Sequence, residues 1–171
     1  MLQVYTGDGK GKTTAALGLC LRASGAGLEV LYAQFLKDGK SSELSALRGI
    51  KGIKVYPGVP AEGFYPLLNE ADRDQIKATQ REKFFGIAEE LRCKAYGLAV
   101  LDEVLCAVDM GIITERELTG FIEEFYEKCE MILTGGPLPP RLREKADYIS
   151  EVRSVKHPYD KGQPARRGIE F

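Results

Sequence analysis

The sequence predicts a three-layer α/β sandwich on a mostly parallel sheet. Three observations carry that expectation. The runs Val30-Leu31-Tyr32-Ala33-Gln34-Phe35, Leu98-Ala99-Val100-Leu101 and Met131-Ile132-Leu133-Thr134 are short and nearly continuous in apolar character, as strands covered on both faces are. Segments with helical spacing separate them, so strand and helix alternate along the chain. The 171 residues fit one domain, 1–171, and a chain of that size buries roughly 70% of the surface it exposes when unfolded.

The elements follow in order. Residues 2–6 form a first strand. A helix begins at Lys12 and runs to about Ala23, with Ala16, Leu19, Cys20 and Ala23 on one stripe. Ser24-Gly25-Ala26-Gly27 ends it, and the strand at 30–35 completes a strand–loop–helix–strand unit whose strands must be parallel. Residues 36–69 are less regular, with a short helix at Ser42–Arg48, a strand at Ile53–Tyr56 and a stretch punctuated by proline and glycine from Pro57 to Pro66. Irregular segments of this length in a compact α/β domain are often functional. A long helix over 69–92 presents Phe84, Ile87, Ala88 and Leu91 on one face. The strand at 98–101 ends in Asp102-Glu103. Thr114-Glu115-Arg116-Glu117 is a capping box, starting a helix with Leu118, Phe121, Ile122 and Phe125 in helical register. The strand at 131–134 stops at Gly135-Gly136-Pro137, and a short helix at 140–146, a strand at 148–155 and a polar, turn-rich tail complete the chain.

Composition narrows the function. Lys+Arg total 24 against 25 Asp+Glu, a formal charge of −1, so nothing favours bulk binding to nucleic acid or an anionic membrane, and any anion site is local. No apolar run approaches the ~20 residues of a membrane helix, and no basic-then-apolar leader is visible. The expectation is a cytoplasmic protein. Cys20, Cys93, Cys106 and Cys129 are far apart and His157 is the one histidine. A Cys/His zinc site is disfavoured, and reduced core thiols are expected.

The first strand leads into Gly7-Asp8-Gly9-Lys10-Gly11-Lys12-Thr13-Thr14. A strand, a glycine loop, Lys-Thr and a helix are the context of a phosphate-binding P-loop. Glycines let backbone N–H groups converge on an anion, the helix N-terminus adds its dipole, Lys12 adds a point charge and Thr13 a hydroxyl for Mg²⁺. The fold expected is therefore P-loop NTPase-like. Thr6 stands where the full pattern has its first glycine, so the loop is entered from a β-branched strand residue. Asp102 and Glu103, at the C-terminal edge of an apolar strand, are the acids expected to help hold Mg²⁺ with Thr13.

Taken together, the loop GDGKGKTTAA entered from Thr6, the VLDE strand end, the Thr-Gly turn after a late strand and the closing VKHPYDKGQPARRGIEF resemble the P-loop-type ATP:corrinoid adenosyltransferases over nearly the whole chain. The resemblance implies transfer of the 5′-deoxyadenosyl group of ATP to Co(I) of a reduced corrinoid, with tripolyphosphate leaving. It implies ATP held in reversed polarity, which makes Thr6 a variant for another substrate orientation. It places Gly7 through Thr14 and Arg22 on the nucleotide, gives Lys12, Thr13 and Glu103 the catalytic work, and closes Phe64, in Gly63-Phe64-Tyr65-Pro66, over the lower face of the corrin. A flavodoxin-like reductase and a homodimer are implied too. Co(I) is itself a strong nucleophile, so positioning, charge neutralisation and exclusion of water suffice.

The chain departs from that pattern in three places. Pro66 stands where a second large aromatic is usual, with Tyr65 as a substitute. Gly136 replaces an arginine, and the first strand starts at Leu2 where members often carry an N-terminal extension. Such a site is more open, or covered by a neighbouring subunit. His157 fits a structural role in the tail. Arg153, Lys156, Lys161, Arg166 and Arg167 are either steering charges or a solvated surface.

Two other classes fit the residues. A conventional P-loop NTPase or small-molecule kinase would use Glu103 on water or a hydroxyl and cut at the γ-phosphate. It predicts a lid with arginines, and 36–69 holds only Arg48. A non-enzymatic carrier or sensor of ATP and corrinoid is the third.

Overall fold

The computed structural model describes residues 1–58, 69–158 and 162–169. The element order is β1 (Leu2–Thr6), α1 (Lys12–Gly25), β2 (Val30–Gln34), α2 (Ser42–Arg48), β3 (Ile53–Tyr56), α3 (Glu70–Cys93), β4 (Leu98–Asp102), α4 (Val104–Asp109), α5 (Glu115–Phe125), β5 (Glu130–Thr134), α6 (Pro140–Lys145) and β6 (Tyr148–Glu151). The strands form one six-stranded sheet in the order β3-β2-β4-β5-β1-β6. Every pairing is parallel, so all loops that follow the strands gather at one edge.

Two cores on opposite faces make the three layers. Alternation along β2 shows the division: Val30 and Tyr32 pack with Ala16, Cys20 and Ala23 of α1 and Leu44 and Leu47 of α2. Leu31 and Ala33 face the other way, against Phe84, Ile87 and Leu91 of α3 and Leu118, Phe121 and Phe125 of α5. This second core carries an aromatic chain, with ring centroids 5.2 Å apart for Phe84–Phe121 and 4.9 Å for Phe121–Phe125. Each such pair adds about 0.5–1.5 kcal/mol beyond its buried area.

Helix starts follow their chemistry. Asn69 accepts from the Asp72 N–H at 2.9 Å to begin α3. The Thr114–Glu117 capping box begins α5, and Glu117 also receives a bidentate pair from Arg81 of α3. One carboxylate thus both caps α5 and ties it to α3.

Some elements differ from expectation. α4 has no signal of its own: six residues, with Val104, Leu105 and Ala107 buried and no polar side-chain cap. The last strand ends at Glu151, because beyond it the backbone turns to bond the loop after β1. Of the cysteines, Cys20 is buried, Cys106 and Cys129 half-buried, and Cys93 exposed. Cys93 closes α3 beyond its apolar face. Among the described residues no helix is long and apolar enough to cross a membrane.

The Glu117 contact yields a pH prediction. Hydrogen bonding from Arg81, aided by the Thr114 bonds and opposed by burial, holds the Glu117 carboxyl down at about 2. A depressed carboxyl adds stability above its unfolded value of about 4.3 and loses it as the pH falls toward the folded one. Glu117→Gln is expected to cost about 1–2 kcal/mol near neutrality, after allowing for solvent around the pair. The gap from wild type in urea unfolding should close between pH 5 and about 2.

Candidate nucleotide site at the C-terminal edge of the sheet

The loop between β1 and α1 is shaped by what lies behind it. The Val152 N–H donates to the Thr6 carbonyl, and the Gly9 N–H to the Val152 carbonyl, both at 2.8 Å. A Cβ on Gly7, whose φ is +104, would lie 2.2 Å from the Val152 carbonyl oxygen, and one on Gly9 would lie 2.7 Å from the Arg153 carbonyl carbon. These two glycines therefore admit the chain beyond β6. Gly11, with φ +124 and open space around it, is the glycine that serves the cavity side. Asp8 faces the same neighbour, accepting from the Ser154 N–H at 3.1 Å.

Thr6 has a definite task. It is buried, and its hydroxyl donates to the Gly136 carbonyl at 2.7 Å. The Gly136 N–H in turn donates to Cys106 Sγ at 3.0 Å. Thr6, in place of the pattern's first glycine, and Gly136, where the resemblance implies an arginine, are thus hydrogen-bonded to each other. They join the loop entrance to the end of β5.

Asp102 is the centre of the site. It is 0% exposed and takes four donors from among the described residues. Thr13 Oγ1 at 2.9 Å and Thr134 Oγ1 at 2.7 Å donate to Oδ1. Tyr32 Oη at 3.1 Å and Lys37 Nζ at 2.8 Å donate to Oδ2. A buried carboxylate persists only when so satisfied. The sheet order makes this possible: β5 lies between β1 and β4, so α1 crosses β5 and β4 on its way from β1 to β2. Its first turn delivers Thr13 over the end of β4. Thr134 also accepts from the Glu103 N–H at 2.9 Å, which fixes Glu103 in a left-handed conformation with φ 62. That geometry costs a non-glycine residue about 1–2 kcal/mol. It turns Glu103 into the cavity, where Oε2 accepts from Cys106 Sγ at 2.9 Å. Burial, then Glu103, push the Cys106 thiol up to about 12.

A cavity of about 720 Å³ opens over these groups, within the range of small-molecule sites. Gly9, Lys10, Gly11, Lys12, Thr13, Thr14 and Glu103 all line it. Lys12 lies folded over its own loop, donating to the carbonyls of Gly7 at 2.7 Å and Gly9 at 2.9 Å. Gly168 and Ile169 of the closing segment line it as well, so that segment reaches the C-terminal edge of the sheet. Gly7 and Asp8 support the loop from behind. Arg22 is exposed in the last turn of α1, roughly 15 Å along the helix from Lys12 at 1.5 Å per residue, and is not brought to the cavity. Phe64, with Tyr65 and Pro66, lies outside the described residues. His157 is half-buried and is not one of the residues that line the cavity.

No motif in the sequence marks Lys37 or Lys83. Both stand by the chain where it leaves β2, and position at that edge is the signal that marks Lys37. Lys83, on α3, donates to the carbonyls of Gln34 and Pro57, the latter at 2.7 Å, and its ammonium sits 4.8 Å from the Phe35 ring centre. Burial lowers the Lys83 ammonium to about 7, with the Asp102 charge opposing.

A glycine loop at a helix N-terminus, a lysine folded across it and a hydroxyl bonded to a buried strand-end carboxylate define a P-loop nucleotide-binding protein. A solved structure of Thermomonospora curvata EccC (ATPases 2 and 3) with a signal sequence peptide shares this fold, at a TM-score of 0.50 and 18% identity over 92% of this chain and 32% of that one. The model of the family described as ATP:corrinoid adenosyltransferase BtuR/CobO/CobP matches residues 1–171. The corrinoid adenosyltransferase of Pseudomonas aeruginosa is 32% identical over 171 residues, 100% of this chain and 83% of that one. The Escherichia coli K12 corrinoid adenosyltransferase is 32% identical over 168 residues, 98% of this chain and 84% of its own. Corrinoid adenosyltransferase CobA of Salmonella typhimurium is 32% identical over 170 residues, with the same coverages. The chain belongs to the ATP:corrinoid adenosyltransferase family and is an enzyme.

The Thr6–Gly136 bond is directly testable. Thr6→Val keeps the shape and leaves the Gly136 carbonyl without its donor, so it should cost about 1–2 kcal/mol in urea unfolding. Thr6→Ser, which keeps the hydroxyl, should recover most of that loss.

Proposed function

We propose that the cavity binds Mg–ATP with the triphosphate along the loop from Gly9 to Thr14, and that the 5′-deoxyadenosyl group passes to Co(I) of a reduced corrinoid. The observation that carries this reading is the buried Asp102 holding Thr13 at the mouth of the loop, beneath a cavity of nucleotide size. The cobalt lone pair attacks C5′, the C5′–O5′ bond breaks, and the bonding pair leaves with tripolyphosphate. The product is an alkyl-Co(III) corrinoid.

The work of the chain is positional and electrostatic. Lys12, released from the Gly7 and Gly9 carbonyls, and Lys10 meet phosphate oxygens. The loop N–H groups and the α1 dipole take further charge. The donor set fits a divalent cation. The Thr13 proton is committed to Asp102, which leaves its oxygen lone pairs for a metal, and an ammonium already stands beside them as a cation. Thr13 and Glu103 would hold Mg²⁺, with Asp102 behind. Among the described residues no cluster of three His, Cys, Asp or Glu side chains is placed to hold a metal; phosphate oxygens of the nucleotide would supply the further ligands. When bound, the ion supplies charge neutralisation of the leaving triphosphate. The same reading includes a flavodoxin-like reductase as electron donor, a homodimer and a cytoplasmic location, as the family resemblance implies.

The test is anaerobic incubation with Mg–ATP and chemically reduced corrinoid. Tripolyphosphate formed in step with a photolabile Co–C bond is the expected result. ADP and orthophosphate without that bond would overturn it and favour an ordinary NTPase or kinase. Lys12→Met is expected to lower turnover by about a hundredfold or more, as loss of a preorganised charge at a leaving group does.

A further inference from the structure

Lys37 is held where a cation is wanted. Its ammonium is 2.8 Å from Asp102 Oδ2 and 3.2 Å from Thr13 Oγ1, and 3.8 Å from Glu43 Oε1. Its backbone is pinned from both directions. The Phe35 N–H donates to the Asp102 carbonyl at 2.8 Å, and Leu36 has a left-handed φ of 55. Gly58 packs so closely that a Cβ there would lie 1.9 Å from the Lys37 carbonyl oxygen. A strained residue before the lysine and a backbone-to-backbone contact beside it describe a held position, not a surface side chain at rest.

The surroundings give this ammonium a second place to go. Glu43 and Lys37 line the same cavity. Glu43 Oε1 accepts from Gln34 Nε2 at 2.8 Å, and Gln34, itself 0% exposed, keeps Oε1 buried with no donor among the described residues. A shift of Lys37 away from Asp102 toward Glu43 keeps its ion pairing and brings a donor to the side of the site where an acceptor stands unused.

We infer that Lys37 is the resident cation of the metal position: it balances Asp102 beside Thr13 until a divalent ion arrives, then crosses to Glu43 at the cavity wall. This rests on the reading of the site as one for a metal–nucleotide complex. Two cations cannot share that oxygen cluster, so binding the free metal ion means displacing Lys37. Nucleotide-free protein therefore binds the free ion weakly, and the nucleotide's own phosphate charge is needed to complete the exchange. Lys37 is a positioning residue in this scheme.

The experiment uses Mn²⁺ as probe, its free concentration read by electron paramagnetic resonance against whole, nucleotide-free protein. Removing the competing charge by Lys37→Met should tighten Mn²⁺ binding by about tenfold or more. Glu43→Gln, which removes the charge that would receive Lys37, should weaken it several-fold relative to wild type. Unchanged or weaker Mn²⁺ binding in Lys37→Met overturns the inference, as does tight Mn²⁺ binding by wild type without nucleotide. If Lys37→Met does not fold, the wild-type and Glu43→Gln titrations decide alone. Equal affinities for these two proteins overturn the inference. A parallel titration with ATP separates the two levels: no Mn²⁺–ATP binding to wild type removes the nucleotide reading, whereas binding with an unchanged Lys37→Met titration removes only the role of Lys37.

Discussion

The Asp102 carboxylate is the constraint on which the site depends. A buried charge is tolerable only with its lone pairs occupied, and here the donors come from four different parts of the chain: Thr13 from the first turn of α1, Tyr32 from β2, Lys37 from the loop after β2, and Thr134 from the end of β5. Each donor fixes the element that bears it. The order β2-β4-β5-β1 is the arrangement that lets all four reach one carboxylate. Sheet topology and local electrostatics are two descriptions of the same requirement.

The glycine loop is fixed from its far side as well. Gly7 and Gly9 admit the backbone of Val152 and Arg153, and Thr6 reaches across to Gly136. The loop is thus a layer between the chain that follows β6 and the ligand cavity. Preorganised donors of this kind need little rearrangement when charge arrives, which is the property electrostatic catalysis exploits.

Much of this was legible in the sequence because it is local. The P-loop spells its own context, the Thr114–Glu117 box names a helix start, and the strand ending in Asp102 and Glu103 announces acids at the binding edge. The expected three-layer parallel sheet is the one found. The rest is not local. Nothing in the spacing places Lys37 or Thr134 on Asp102, because their meeting depends on strand order. The helix Val104–Asp109 is short and lacks a polar side-chain cap, so neither periodicity nor capping exposes it. The strand from Tyr148 is shorter than its composition suggests because Val152 bonds the loop after β1. Glycines that look alike in sequence divide between ligand and packing only when their neighbours are known. Arg22, matched by resemblance, falls at the far end of its helix.

The position of β1 between β5 and β6 has a further consequence during synthesis. The loop after β1 leaves the ribosome long before the two strands that flank β1, both of which lie beyond residue 129. At about 5–20 residues per second, the loop waits on the order of ten seconds for its neighbours. These late, long-range pairings raise the contact order of the fold and slow it. Until β5 and β6 emerge, β1 presents two unpaired edges, the condition that invites association between nascent chains. The cavity too is completed late in the chain order, since Gly168 and Ile169 line it together with the loop after β1.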